Sequence, residues 1–151
     1  MEMSTERKKN KGTGLRALAE LFLLAKRLEK ATAVSEEAQT EIMYGLPGIF
    51  SFALCSGGRS VRLIKEGNAF RIMKLSEKSD ILTSVFFDDP KTLTSVATGR
   101  KTIFKALSEG RVSYKGAVGF FTTVMRVFYV ADKLRLSDKK RGALYGDDAE
   151  R

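Results

Sequence analysis

Residues 85–128 read VFFDDPKTLTSVATGRKTIFKALSEGRVSYKGAVGFFTTVMRVF. Val85-Phe86-Phe87 closes a β-branched and aromatic run that opens at Ile81, the composition of a strand. Asp88-Asp89-Pro90 then reads as a helix start, because Asp89 can accept from free backbone N–H groups and Pro90 loses no hydrogen bond at the first helical position. Leu93, Val96 and Ala97 give this helix an apolar side, and Gly99 ends it. A shorter helix follows with Ile103, Phe104, Ala106 and Leu107, stopped by Gly110. Val112 and Tyr114 alternate with Arg111, Ser113 and Lys115, the pattern of a short half-exposed strand that Gly116 closes. From Ala117 to about Leu136 the pattern is helical again.

That last helix is apolar over more than one stripe. Val118, Phe121, Met125 and Phe128 form one row, and Phe120, Val124, Val127, Ala131 and Leu134 a neighbouring one. Together they exceed the roughly 100° stripe of a helix lying on a core. Such a helix is either sandwiched between two layers or roofs a cavity, a ligand or another subunit. Phe120, Val127 and Tyr129 fall off whichever row turns inward, and a two-fold dimer is the default way to cover them. The competing arrangement folds the N-terminal helix over the same surface.

Upstream, Ile49, Phe50, Phe52 and Leu54 lead through Ser56-Gly57-Gly58-Arg59, a tight-turn sequence, to Val61, Leu63 and Ile64. Glu66-Gly67-Asn68 is a second turn, and Phe70 and Ile72 begin a third strand that extends toward Leu75. Before the breakers Gly45, Pro47 and Gly48, Ser35 caps a short helix reaching about Met43, with Glu36 and Glu37 in its first turn. Leu18, Leu21, Phe22, Ala25 and Leu28 mark an earlier amphipathic helix that starts near Leu15. Consecutive hairpins favour an antiparallel start to the sheet, with helices gathered on one face: an α+β domain. We expect a disordered basic arm over 1–13, a single domain over 14–136 and a polar tail over 137–151.

Composition removes much chemistry. The 151 residues include no histidine and one cysteine, Cys55. Histidine-based acid–base catalysis, a Ser-His-Asp triad and a Cys/His zinc site are therefore unavailable within the chain. Asp88-Asp89 and Glu36-Glu37 read as helix-start carboxylates, and Cys55 as an inert thiol. The expectation is a protein that is not an enzyme, with no cofactor and no metal. No run of eighteen apolar residues occurs, no secretory h-region opens the chain, and a cytoplasmic location is the default.

The net charge of +9 is concentrated at the ends, +4 over residues 1–30 and +4 over 133–141, against +3 over 31–132 and −2 over the last ten. Solubility accounts for most of this. The remaining reading is attraction to an anionic membrane surface or an acidic protein partner, and nucleic acid is disfavoured.

The order of elements from Val85 to Phe128 resembles the C-terminal half of the sterol-carrier-protein type-two family. The resemblance rests on the strand ending at Phe86-Phe87, Leu93-x-x-Val96-x-x-Gly99, Ala106 with Glu109-Gly110-Arg111-Val112, and Tyr114-Lys115-Gly116 before an apolar helix. The hairpins from Ile49 to Leu75 sit where that family has its first strands, so it spans about residues 49–130. It implies a five-stranded, mainly antiparallel sheet with helices on one face and an apolar cavity under the C-terminal helix. It also implies a non-catalytic role, holding a lipid or other small hydrophobic ligand. The wall would come from Leu93, Val96, Phe104, Leu107, Phe120, Phe121, Val124 and Phe128. The alternative is an accessory module of the same fold that supports a lipid or isoprenoid-quinone biosynthesis enzyme, docking through its basic N-terminal helix.

Overall fold

A computed structural model describes the backbone of residues 2–43, 48–74, 77 and 80–149, and the side chains of 14–43, 48–74, 77 and 80–135. Helices α1 (Glu2–Val34) and α2 (Glu36–Met43) precede strands β1 (Ile49–Leu54), β2 (Val61–Glu66), β3 (Ala69–Ile72) and β4 (Thr83–Phe87). Then come α3 (Pro90–Ala97), α4 (Ile103–Ser108), β5 (Val112–Gly116) and α5 (Val118–Ala149). The long helices α1 and α5 both run beyond the limits that the periodicity predicts. The side chains of 1–13 and 137–151, the expected arm and tail, lie outside the described residues.

The five strands form one sheet in the order β3-β2-β1-β4-β5. β1–β2, β2–β3 and β4–β5 are antiparallel, and the central pair β1–β4 is parallel, with Phe52 opposite Val85. The sheet is thus mixed, mainly antiparallel. Its parallel join needs a crossover, which the chain between Ile72 and Thr83 supplies.

Local chemistry sets the element ends. Asp89 Oδ1 accepts from Thr92 N at 2.7 Å, capping α3 with Pro90 just inside it. That hydrogen bond holds the Asp89 carboxyl below the usual carboxylate range. Ser35 Oγ accepts from Ala38 N at 3.3 Å to start α2, and Thr102 Oγ1 from Lys105 N at 3.1 Å to start α4. Gly116 turns the chain from β5 into α5 at φ +111°, and a Cβ there would collide with the carbonyl oxygen of Leu82. Only glycine fits the position.

Phe50, Phe52, Leu54, Val61, Leu63, Val85 and Phe87 alternate onto one buried sheet face, and the helices pack over it. α1 lies on β1–β3 and α5 on β4–β5, while α1 also contacts α3 and α5, and α2 contacts α5. Leu21, Leu24, Ala25 and Leu28 are the buried stripe of α1. Phe120 and Val127, expected to fall outside the packing of α5, are buried within the chain. Tyr129 stays 57% exposed. α5 owes its extra apolar width to several neighbours: the sheet beneath it, α1 beside it on the same sheet, and α2, which also packs on it.

Candidate functional site

The residues expected to wall a cavity divide into groups. Phe120, Val124 and Phe128 project from successive turns of α5 onto the sheet and are buried. The Phe120 ring lies 6.1 Å from Phe50 and 6.4 Å from Phe70, and the Phe128 ring 5.7 Å from Phe52 in an edge-on contact. Phe50 and Phe52 touch each other at 4.7 Å. The five rings form one contiguous layer, in the offset and edge-on geometries that aromatic quadrupoles favour. Phe121 leaves that row and stacks on Tyr114 of β5 at 4.0 Å. Leu93 and Val96 are buried on α3, which packs on α1. Phe104 and Leu107 are half-buried on α4, and Phe104 meets the exposed Tyr129 at 6.4 Å. The structure therefore joins Phe120 and Phe128 through the sheet aromatics, and sets Phe104 and Phe121 apart from them.

An apolar opening lies elsewhere, where α1 crosses the β2–β3 side of the sheet. Leu18, Phe22, Val61, Ile72 and Met73 line a groove of about 370 Å³, with Ser60, Arg62 and Lys74 at its rim. Phe22 is 43% exposed, a large ring left in part to water, with the Lys26 ammonium 5.5 Å above its centre. The rim is braced from one side. Arg62 Nη2 donates to the carbonyls of Glu77, at 2.7 Å, and Lys74, at 3.3 Å. Arg71 grips both Glu77 oxygens, at 2.9 and 3.1 Å, and Lys74 N donates to Glu77 Oε1 at 3.1 Å. These bonds, the guanidinium's first, pull the Glu77 carboxyl down to about 2.

Sequence reasoning names Leu18 and Phe22 only as a core stripe, and does not connect them with Val61, Ile72 and Met73. The groove joins three segments distant along the chain, and no spacing within one segment signals it. The one available sign is that Phe22 sits at the border of the α1 stripe, beside Lys26.

The groove is largely apolar. Its lining offers apolar surface, a hydroxyl and two cations. Among the described residues no group of three His, Cys, Asp or Glu side chains is placed to hold a metal ion. The sequence-adjacent carboxylates are engaged elsewhere, Asp89 as a cap and Asp88 with Arg111 at 2.9 Å. No helix among the described residues is long and apolar enough to cross a membrane.

No family model matches the sequence, and no curated protein matches it. Solved structures do match in fold. A crystal structure of sterol carrier protein 2 superposes with a TM-score of 0.51 at 17% identity, over 76% of this chain and 94% of that one. The solution structure of the sterol carrier protein domain 2 of Helicoverpa armigera gives 0.49 at 19%, over 74% and 87%. A ubiquinone synthesis protein, UbiJ-SCP2, gives 0.49 at 13%, over 68% and 84%. This chain has the sterol-carrier-protein-2-like fold, a five-stranded mixed sheet with its helices layered on one face.

Proposed function

We propose that this protein binds a small hydrophobic molecule without transforming it, and that the ligand seats in the groove between α1 and β2–β3. The observation that carries the reading is the groove itself: five apolar side chains from three segments surround an open space of about 370 Å³. That volume falls within the range of small-molecule sites, which are concave and mostly apolar with a few polar groups for orientation. Leu93, Val96, Phe120, Val124 and Phe128 lie outside the lining of this groove.

Burial of hydrocarbon is the driving force, at about 0.8 kcal/mol per methylene, which is about fourfold in affinity for each carbon added. Calorimetric titration with straight-chain alcohols from octanol to dodecanol tests this directly. Affinity rises by that factor per carbon until the groove is full. Phe22→Ser weakens the series, whereas Leu23→Ser, one residue along the exposed side of α1 and outside the groove, leaves it unchanged. Affinity that ignores chain length, or equal loss from both substitutions, contradicts the assignment.

A further inference from the structure

A second cleft, between α1 and α5, has a different chemistry. Its floor is Ala31, Val34, Ala131 and Leu134, its volume is about 490 Å³, and its rim holds Arg27, Lys30 and Arg135. Val34 is 64% exposed, so the floor is open to water. Both guanidiniums are held by neutral acceptors at the C-terminal end of α3. Arg27 donates to the carbonyls of Val96, at 3.0 Å, and Ala97, and Arg135 Nη2 donates to that of Thr98 at 2.9 Å. The Arg135 guanidinium occupies the space that a side chain at residue 99 would fill, and Gly99 leaves it there. The exposed carbonyls of a helix end carry only a fraction of a negative charge. Asp132 is the nearby carboxylate, and no ion pair within 4.0 Å joins it to either arginine among the described residues. Among the described residues that line the cleft, three are cations and none is a carboxylate, around an apolar floor.

We infer that this cleft is a binding site for a phosphate monoester carrying one hydrocarbon chain. The three cations suit a dianionic phosphate, and the N–H groups that the two guanidiniums do not donate to the α3 carbonyls are left for its oxygens. Lys30 adds a mobile point charge. The floor between α1 and α5 takes the first carbons of the chain. The site is distinct from the groove on α1 and β2–β3, and it stands whether or not that groove binds ligand.

Titration of the full chain with dodecyl phosphate below its micellar concentration, with inorganic phosphate and with dodecanol tests the site. Dodecyl phosphate binds at least about tenfold more tightly than inorganic phosphate, because the chain adds apolar burial. Lys30→Gln weakens dodecyl phosphate about tenfold, the value of one charge-assisted hydrogen bond. Val34→Asp, an exposed substitution that sets a carboxylate in the cleft, weakens it at least as much. Neither change alters dodecanol binding, which reports on the other groove, and Phe22→Ser has the converse pattern. Dodecyl phosphate binding that survives both Lys30→Gln and Val34→Asp, or that Phe22→Ser alone abolishes, overturns the inference. So does inorganic phosphate binding as tightly as the amphiphile.

Discussion

Glu29 of α1 accepts a hydrogen bond at 2.9 Å from the backbone N–H of Ile72, on the edge strand β3. One turn further along, Thr32 Oγ1 accepts from Phe70 N at 3.0 Å and is itself buried. Two outward amides of a sheet edge are thereby satisfied by a helix. An uncovered edge is a template for pairing with another chain, and covering it with a helix is one of the ways proteins suppress aggregation. The same two bonds fix α1 over β2–β3, so they also hold the groove in shape.

Removing these acceptors should therefore cost stability and solubility together. Thr32→Val leaves the Phe70 amide buried without a partner, a loss of about 1–3 kcal/mol, and Glu29→Ala about 1–2 kcal/mol at its less enclosed position. Urea denaturation measures the losses, and light scattering on warming measures the freed edge. A double variant as stable and as soluble as the parent would contradict the bracing role.

Phe52 and Phe128 belong to one aromatic layer, so each should behave as core. Phe→Ala at either position destabilises by about 3–5 kcal/mol, whereas Phe104→Ala, half-buried at the margin, costs clearly less. The rings touch, so the double-mutant cycle should show a coupling of at least about 0.5 kcal/mol. Additive losses from Phe52→Ala and Phe128→Ala would mean that Phe128 faces an open space rather than the sheet.

Gly99 carries a double requirement. Its φ of +81° is the left-handed region, and the Arg135 guanidinium fills the place of its missing side chain. Gly99→Ala pays about 1–2 kcal/mol for the backbone conformation and also displaces Arg135 from Thr98. Gly99→Asn, whose side chain tolerates that conformation better, isolates the displacement. Thermal unfolding should rank the parent above Gly99→Asn and Gly99→Asn above Gly99→Ala. Equal stability of all three would contradict the placement of Arg135.

Two carboxyls give opposite pH signatures. Glu77 is depressed from 4.5 to about 2, so its contribution is complete above pH 4.5 and is lost as the pH falls toward 2. Asp132 is raised from 3.8 by burial, against the pull of Arg27 and Arg135. Its neutral form is the favoured one, so that contribution is present below pH 3.8 and is lost as the pH rises through the folded-state pKa. Urea midpoints between pH 2 and 7 should show Glu77→Gln less stable than the parent at neutral pH and converging with it in acid. Asp132→Asn should be more stable than the parent at neutral pH, again converging in acid. Reversed signs would contradict the two environments.

The elements were legible where the information is local. Ser35, Asp89 with Pro90, and the turn at Gly67 mark their own boundaries, because caps and tight turns depend on a few adjacent residues; the expected tight turn at Gly57-Gly58 is instead a longer connection from Leu54 to Val61 that turns at Cys55-Ser56. The width of the apolar surface on α5 was also legible, but not its cause. Periodicity reports how much of a helix avoids water, not whether a sheet, a second helix or a ligand lies against it. The rings of Phe50 and Phe52 across from Phe120 and Phe128, together with the packing of α1 and α2 on α5, are what occupy that surface. The parallel pairing of β1 with β4 was hidden for a related reason: hairpin reasoning follows chain neighbours, and these strands meet across two intervening strands. Leu18, Val61 and Met73 likewise acquire a common role only in three dimensions.

A hydrophobic ligand seated between α1 and β2–β3 would touch methyl groups of three separate segments. Methyl-resolved NMR of the protein, labelled at Ile, Leu, Val and Met, with decanol added stepwise, tests that seating most directly. Saturable shifts are expected to centre on Leu18, Val61, Ile72 and Met73, with Val124 and Val127 of α5 little changed. Shifts centred on Val124, Val127 and Leu93 instead, or none that saturate, would contradict it.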